Sequence, residues 1–225
     1  MKKKIGCLHA HYSNIAYIEQ AFEAYEVELV HFVDPGLVWR VGHDKDYTYE
    51  AARGKSREQL QWAASCGVDA ALVTCTNYIA LLAEEETHVQ VPVINIDEPF
   101  FASLCEHSQP QIVLFTNPAT VEGTMSRLRA CAAAWGKELQ VEARVMEGAF
   151  DLIMSGRQAE YTETLAEYLH RLIESEPDKA VSAAQLSMVL AADRVGRETG
   201  RVIGHPLASL QTYAVERLGL ALKLR

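Results

Sequence analysis

The chain has 225 residues, 49% hydrophobic and 23% charged, with a formal net charge of −9. Such a composition excludes a disordered or collagen-like chain and leaves room for one large domain or two small ones. Thirty acidic residues against twenty-one basic, with no basic patch among aromatics, argue against nucleic acid as a partner, and no apolar stretch approaches the ~20 residues of a membrane span.

From the N-terminus, "MKKKIGCLHAHYSN" begins basic, but its apolar run lasts only from Ile5 to Leu8, which is not a signal peptide. Strands are predicted at 4–8, 27–33, 70–74, 91–96, 111–116, 140–146, 179–183 and 201–203. Helices are expected between them. In 14–25, Ile15, Ile18, Phe22 and Tyr25 share one helical face; 58–66 stops at Gly67, 118–135 at Gly136, and 159–174 near Pro177. Apolar strands alternating with helices predict an α/β fold with mostly parallel sheets.

The five cysteines, Cys7, Cys66, Cys75, Cys105 and Cys131, are scattered and include no CxxC pair. A disulfide framework or structural zinc site is therefore not expected, and the setting reads as reducing and cytoplasmic. Cys7, Cys66, Cys105 and Cys131 are assigned to packing, since cysteine is among the most buried residue types.

Internal spacing suggests a duplication. Seventy positions separate Ile5 from Cys75, and seventy-three separate Ile112 from Gln185, each pair running from a strand with a polar loop behind it to the tip of a later strand. The predicted division is an N-terminal lobe of 1–99 plus 205–225 carrying Cys75, and a C-terminal lobe of 100–204 carrying Gln185. Open α/β sheets bind ligands at the carboxyl ends of their strands, so the expected site is a cleft between the lobes.

Several motifs fail on inspection. Gly54-Lys55-Ser56 matches the end of a P-loop, but Tyr49 stands where its first glycine is required. Asp44-Lys45-Asp46 matches the start of a calcium loop, but Tyr49 again replaces the turn glycine. His9 and His11 have no carboxylate or cysteine at a recognisable ligand spacing, so no metal is expected. Neither GxGxxG nor GxSxG occurs.

What remains is "ALVTCTNYIA", residues 70–79, an apolar strand ending in a thiol, two hydroxyls and an amide. A cysteine at a strand-to-helix junction meets helix-start amides that favour thiolate and hold carboxylates. Core filling and capping by Thr76 or Asn77 are the structural alternatives.

Cys75-Thr76-Asn77 resembles the first cysteine motif of the aspartate/glutamate racemase superfamily. "VPVINIDEP", "IVLFTNPATVEGTM", "EGAFDLIMSG", "VSAAQLSMVLAA" and "VIGHPLASL" follow in that family's order along most of the chain. The resemblance implies two flavodoxin-like lobes related by pseudo-twofold symmetry, a small carboxylate-containing substrate at their interface, no cofactor, and a homodimer. It also implies two cysteines flanking the substrate carbon, but Gln185 occupies the second position, and an amide cannot exchange a proton at useful pH.

The expected activity is thus isomerase, lyase or decarboxylase chemistry through Cys75 alone. Two alternatives stand: a non-catalytic small-anion binder, and a racemase recruiting His9 or His205 as second base. The expected binding residues are His9, Ser13, Asn14, Thr76, Asn77, Thr116, Asn117, Thr120, Gln185, Ser187 and His205. The segment 37–50, with Arg40 in it, is read either as a lid or as a surface loop.

Overall fold

The computed structural model describes residues 2–82 and 89–223. Its contacts divide the chain into two units, residues 1–98 with 210–225, and residues 99–209.

The first unit follows β1 (Lys3–His9), α1 (Asn14–Phe22), β2 (Val27–Val33), α2 (Pro35–His43), α3 (Tyr49–Ser65), β3 (Ala70–Val73), α4 (Thr76–Leu82) and β4 (Val93–Asn95). Its four strands pair in parallel in the order β2-β1-β3-β4. All four residues of β3 are buried, as a parallel strand covered on both faces requires.

Helix starts are written in the sequence. Asp34 accepts a hydrogen bond from the Gly36 amide with Pro35 in the first turn of α2, and Thr48 accepts from the Ala51 amide to cap α3. Gly67, at φ +68°, takes the left-handed conformation just past α3.

The chain leaves this unit within α5 (Asp97–Glu106). It continues through β5 (Gln111–Phe115), a 3₁₀ turn at Pro118–Thr120, α6 (Val121–Ala134), β6 (Val141–Val145), α7 (Ala149–Met154), α8 (Gln158–Ser175), β7 (Ala180–Ala183), a 3₁₀ turn at Leu186–Met188, α9 (Val189–Thr199) and α10 (Pro206–Leu218). The sheet is again parallel, in the order β6-β5-β7. Alternate residues of β5 serve two cores. Ile112 and Leu114 join Tyr161, Leu165 and Leu169 of α8, whereas Val113 and Phe115 join Phe101 and Leu128. Burying one such leucine contributes roughly 1.5–3 kcal/mol.

The two sheets repeat one plan, with the first strand central, the second outside it and the third on its other side. The predicted strand at 201–203 is not formed. Only Gly204 pairs, as a single parallel bridge to Ser182, exchanging backbone hydrogen bonds with Val181 and Ala183. Steric room explains the glycine: a Cβ at 204 would lie 2.5 Å from Ser182 Oγ.

Segment 37–50 is also ordered differently from a long loop, forming most of α2 and the capped start of α3. Arg40 donates to Asp44 at 3.1 and 2.8 Å and stacks on the Tyr47 ring. Cys66 is exposed, with its thiol donating to the Trp62 carbonyl at 3.3 Å, so the packing assignment fails for it. Cys7 and Cys105 are buried and Cys131 partly so.

Candidate functional site

Backbone register places Cys75 and Gln185 at equivalent points of the repeat. The Leu8 carbonyl accepts from the Thr74 amide, and the Leu114 carbonyl accepts from the Ala184 amide, so each candidate is the second residue beyond its strand. Around Cys75 the first unit presents a half-buried tip: Cys75 and Thr76 are partly exposed and Asn77 is exposed. The Cys75 carbonyl accepts from the Ile79 amide at 3.0 Å, which makes Cys75 the cap position of α4. Tyr78 lies buried behind it with its hydroxyl donating to the Asp34 carbonyl; burial first, then Asp34 and Cys75, pushes its phenol pKa up.

Beside the tip, Asn14 Nδ2 donates to Thr74 Oγ1 at 3.3 Å, and Thr74 Oγ1 lies 2.8 Å from His9 Nδ1. Ser13 is exposed and bonded to the His11 ring at 2.8 Å; it makes no side-chain cap. His9, expected at the ligand surface, is instead fully buried with both ring nitrogens engaged, the second by His31 Nδ1 at 2.8 Å. Burial, then the neighbouring His31, push its pKa down to about 4.

This shift carries a stability consequence. Native His9 stays neutral to about pH 4, while the unfolded chain protonates it near ~6.5, so between these values the unfolded state binds more protons and stability falls as pH falls. Urea unfolding is expected to show a loss of about 2 kcal/mol from this residue between pH 7 and 5. A His9→Gln variant should lack that part of the loss; an unchanged pH dependence would contradict the assignment.

In the second unit, the Gln185 side chain turns onto its own loop. Its Oε1 accepts from the Thr116 amide at 2.8 Å, the Thr116 hydroxyl at 2.9 Å and the Asn117 amide at 3.1 Å. Because Oε1 only accepts, the hydroxyl order beyond it is fixed. Thr116 Oγ1 accepts from the Tyr161 hydroxyl at 3.1 Å, which accepts from Ser187 at 3.1 Å. Thr120 donates to the Asn117 carbonyl at 2.9 Å. The expected anion-binding loop at Thr116 and Asn117 is therefore already satisfied by Gln185. His205 is likewise committed, with Nε2 3.0 Å from Asp193 and Nδ1 accepting from the Ala208 amide.

Sequence reasoning missed His31, Glu19 and Tyr161. A histidine inside the apolar run "LVHFV" of β2 was the available signal for the first; Tyr161 reads as one more apolar-face residue of α8.

Cys7, His9 and His31 offer donor atoms within 4.8 Å of one another, a set that could hold a metal and that replaces the His9–His11 pair considered from sequence. The fit is poor: the two histidines bond each other at 2.8 Å, and burial, then Glu19, keep the Cys7 thiol protonated. A cavity of about 630 Å³ in the first unit, lined by Leu8, Phe32, Val33, Gln59 and Trp62 among others, contains none of the expected site residues. Among the described residues no helix is long and apolar enough to cross a membrane.

No family model and no curated protein matches the chain. Solved structures do. Aspartate racemase of Picrophilus torridus aligns over 98% of this chain and 96% of its own at TM-score 0.66 and 14% identity. Glutamate racemase RacE1 of Bacillus anthracis aligns over 97% and 83% at 0.67 and 14%. Allantoin racemase of Pseudomonas fluorescens aligns over 98% and 93% at 0.63 and 16%. At these identities the likeness establishes a shared fold, the one that the sequence motifs had pointed to.

Proposed function

We propose that this chain, which has the fold of the aspartate, glutamate and allantoin racemases, is a cofactor-independent enzyme that moves a proton on a small carboxylate through Cys75. One observation carries the reading: of two equivalent tips, the first bears a partly exposed thiol and the second an amide whose oxygen is spent within its own loop. Cys75 is the proton-transferring group. Thr76, Asn77 and Asn14 supply hydrogen bonds to carboxylate or enolate oxygens. The same reading places the protein in the cytoplasm as a homodimer.

With a single thiol, the reaction is a one-sided isomerisation, elimination or decarboxylation. Racemisation with His9 or His205 as second base loses support, because both rings are buried and doubly bonded. The test is incubation with aspartate, glutamate, hydantoins and substituted malonates in D₂O. The expected result is Cys75-dependent deuterium incorporation at a carbon next to a carboxyl or carbonyl group. Saturable binding that survives Cys75→Ala, with ligand recovered unlabelled and unchanged, would instead establish the anion-binding alternative.

A further inference from the structure

The cavity of about 630 Å³ in the first unit has no part in the chemistry at Cys75. It sits at the carboxyl ends of β1 and β2, the edge at which parallel α/β sheets take ligands. Leu8 and its register partner Phe32 form the side made by the sheet. One face of α3 forms the other, since Lys55, Glu58, Gln59 and Trp62 recur at three- and four-residue spacing. Val33 and Trp62, 38% and 66% exposed, leave apolar surface open at the rim. We propose that this cavity binds a small amine, its ammonium group held by Asp34 and Gln59 and its apolar or aromatic body lying along Phe32, Val33 and Trp62.

The charge of the lining selects a cation. Lys55 is paired with Glu58, its Nζ 3.3 and 3.2 Å from the two carboxylate oxygens, so these two residues offset each other. Asp34 is the charge left over. Its Oδ1 accepts from the Gly36 amide at 2.8 Å and its Oδ2 accepts from Gln59 Nε2, both neutral donors, and no cation pairs with it among the described residues. A carboxylate has about four lone-pair sites, so both oxygens keep capacity for an incoming N–H. The net charge of −9 adds a general attraction for cations.

Gln59 supplies the second acceptor. Because its Nε2 faces the Asp34 carboxylate, its Oε1 faces away, and that oxygen is enclosed without a hydrogen-bond partner among the described residues. Reversing the amide would set two acceptors against each other while Asp34 has no ligand. An ammonium group changes that balance. With three donors, it occupies the Asp34 carboxylate and frees the Gln59 amide to turn its Oε1 onto a second N–H, a rotation about a soft terminal torsion. A carboxylate ligand would meet an anion at the same place, and a purely apolar one would leave the oxygen unpaired.

This inference does not depend on Cys75, and its test separates the two sites. Tryptamine is titrated at neutral pH into the nitrogen-15-labelled full chain, with indole-3-propionate, the same ring bearing a carboxylate, as the control. The expected result is saturable one-to-one binding of tryptamine with Kd below ~1 mM, shifts at the Trp62 indole N–H and the Val33 and Gln59 amides, and no such response to indole-3-propionate. Asp34→Asn keeps an acceptor for the Gly36 amide, so α2 stays capped, but it removes the charge. It should weaken tryptamine binding at least about tenfold. Trp62→Ala, a change at an exposed position, should weaken it roughly 3–10-fold. Tryptamine binding should persist unchanged in Cys75→Ser, whatever that variant does to turnover. Equal affinity for the two probes, or undiminished tryptamine binding in Asp34→Asn, overturns the proposal in favour of an unselective apolar cleft. Shifts at Cys75, Thr76 and Asn77 in place of those at Trp62 overturn it by assigning the amine to the tip. A Trp62 signal that ignores tryptamine but moves with protein concentration overturns it in favour of a second copy of the chain.

Discussion

Cys75→Ser is expected to lower kcat/KM by about 10³-fold or more on whichever carboxylate the deuterium screen identifies, equivalent to about 4 kcal/mol of transition-state stabilisation. Serine keeps the size and hydrogen-bonding capacity of the side chain, so α4 and the buried Tyr78 behind it should be undisturbed. What changes is acidity. A thiol titrates near ~8.5 and exchanges its proton close to neutral pH, whereas an alcohol without an activating base does not. The measurement is steady-state kinetics with circular dichroism as the control on folding. Full turnover in the serine variant would remove Cys75 from the mechanism.

The second large effect is on stability. Gln185→Ala is expected to destabilise the second unit by about 1–3 kcal/mol, because two backbone amides and the buried Thr116 hydroxyl lose one shared acceptor. Water entering at the half-buried Gln185 position holds the cost within that range. Gln185→Glu keeps an oxygen acceptor in place and should cost much less. Urea denaturation of the two variants provides the comparison, and equal midpoints for Gln185→Ala and wild type would mean that the loop does not depend on this side chain.

The sequence was most informative where local pattern and burial agree. Apolar β3 and the apolar run 112–115 of β5, the caps at Asp34 and Thr48, and the glycine stops at 67 and 136 can all be read from residue type. The predicted strand at 201–203 failed because a short apolar run carries no information on partners, and only Gly204 can approach Ser182 closely. Among candidate site residues, the tip at Cys75 was legible as polar groups interrupting an apolar run. The placement of His9 was not, since its ring is bonded by Thr74 beyond β3 and His31 from β2, 65 and 22 residues away in sequence. Gln185 was legible as a departure from the motif, but the direction of its side chain depends on a loop 68 and 69 residues away.

The single bridge at Gly204 also bears on how the second sheet avoids unwanted pairing. Where β3 is flanked by three residues of β4, β7 is flanked by one, and that residue takes up the Val181 carbonyl and the Ala183 amide. An outer strand one rung long cannot serve as a template for another chain, so the β7 side of the sheet is guarded from edge-to-edge pairing by brevity, whereas the five-residue edge strand β6 carries the charged Glu142 and Arg144.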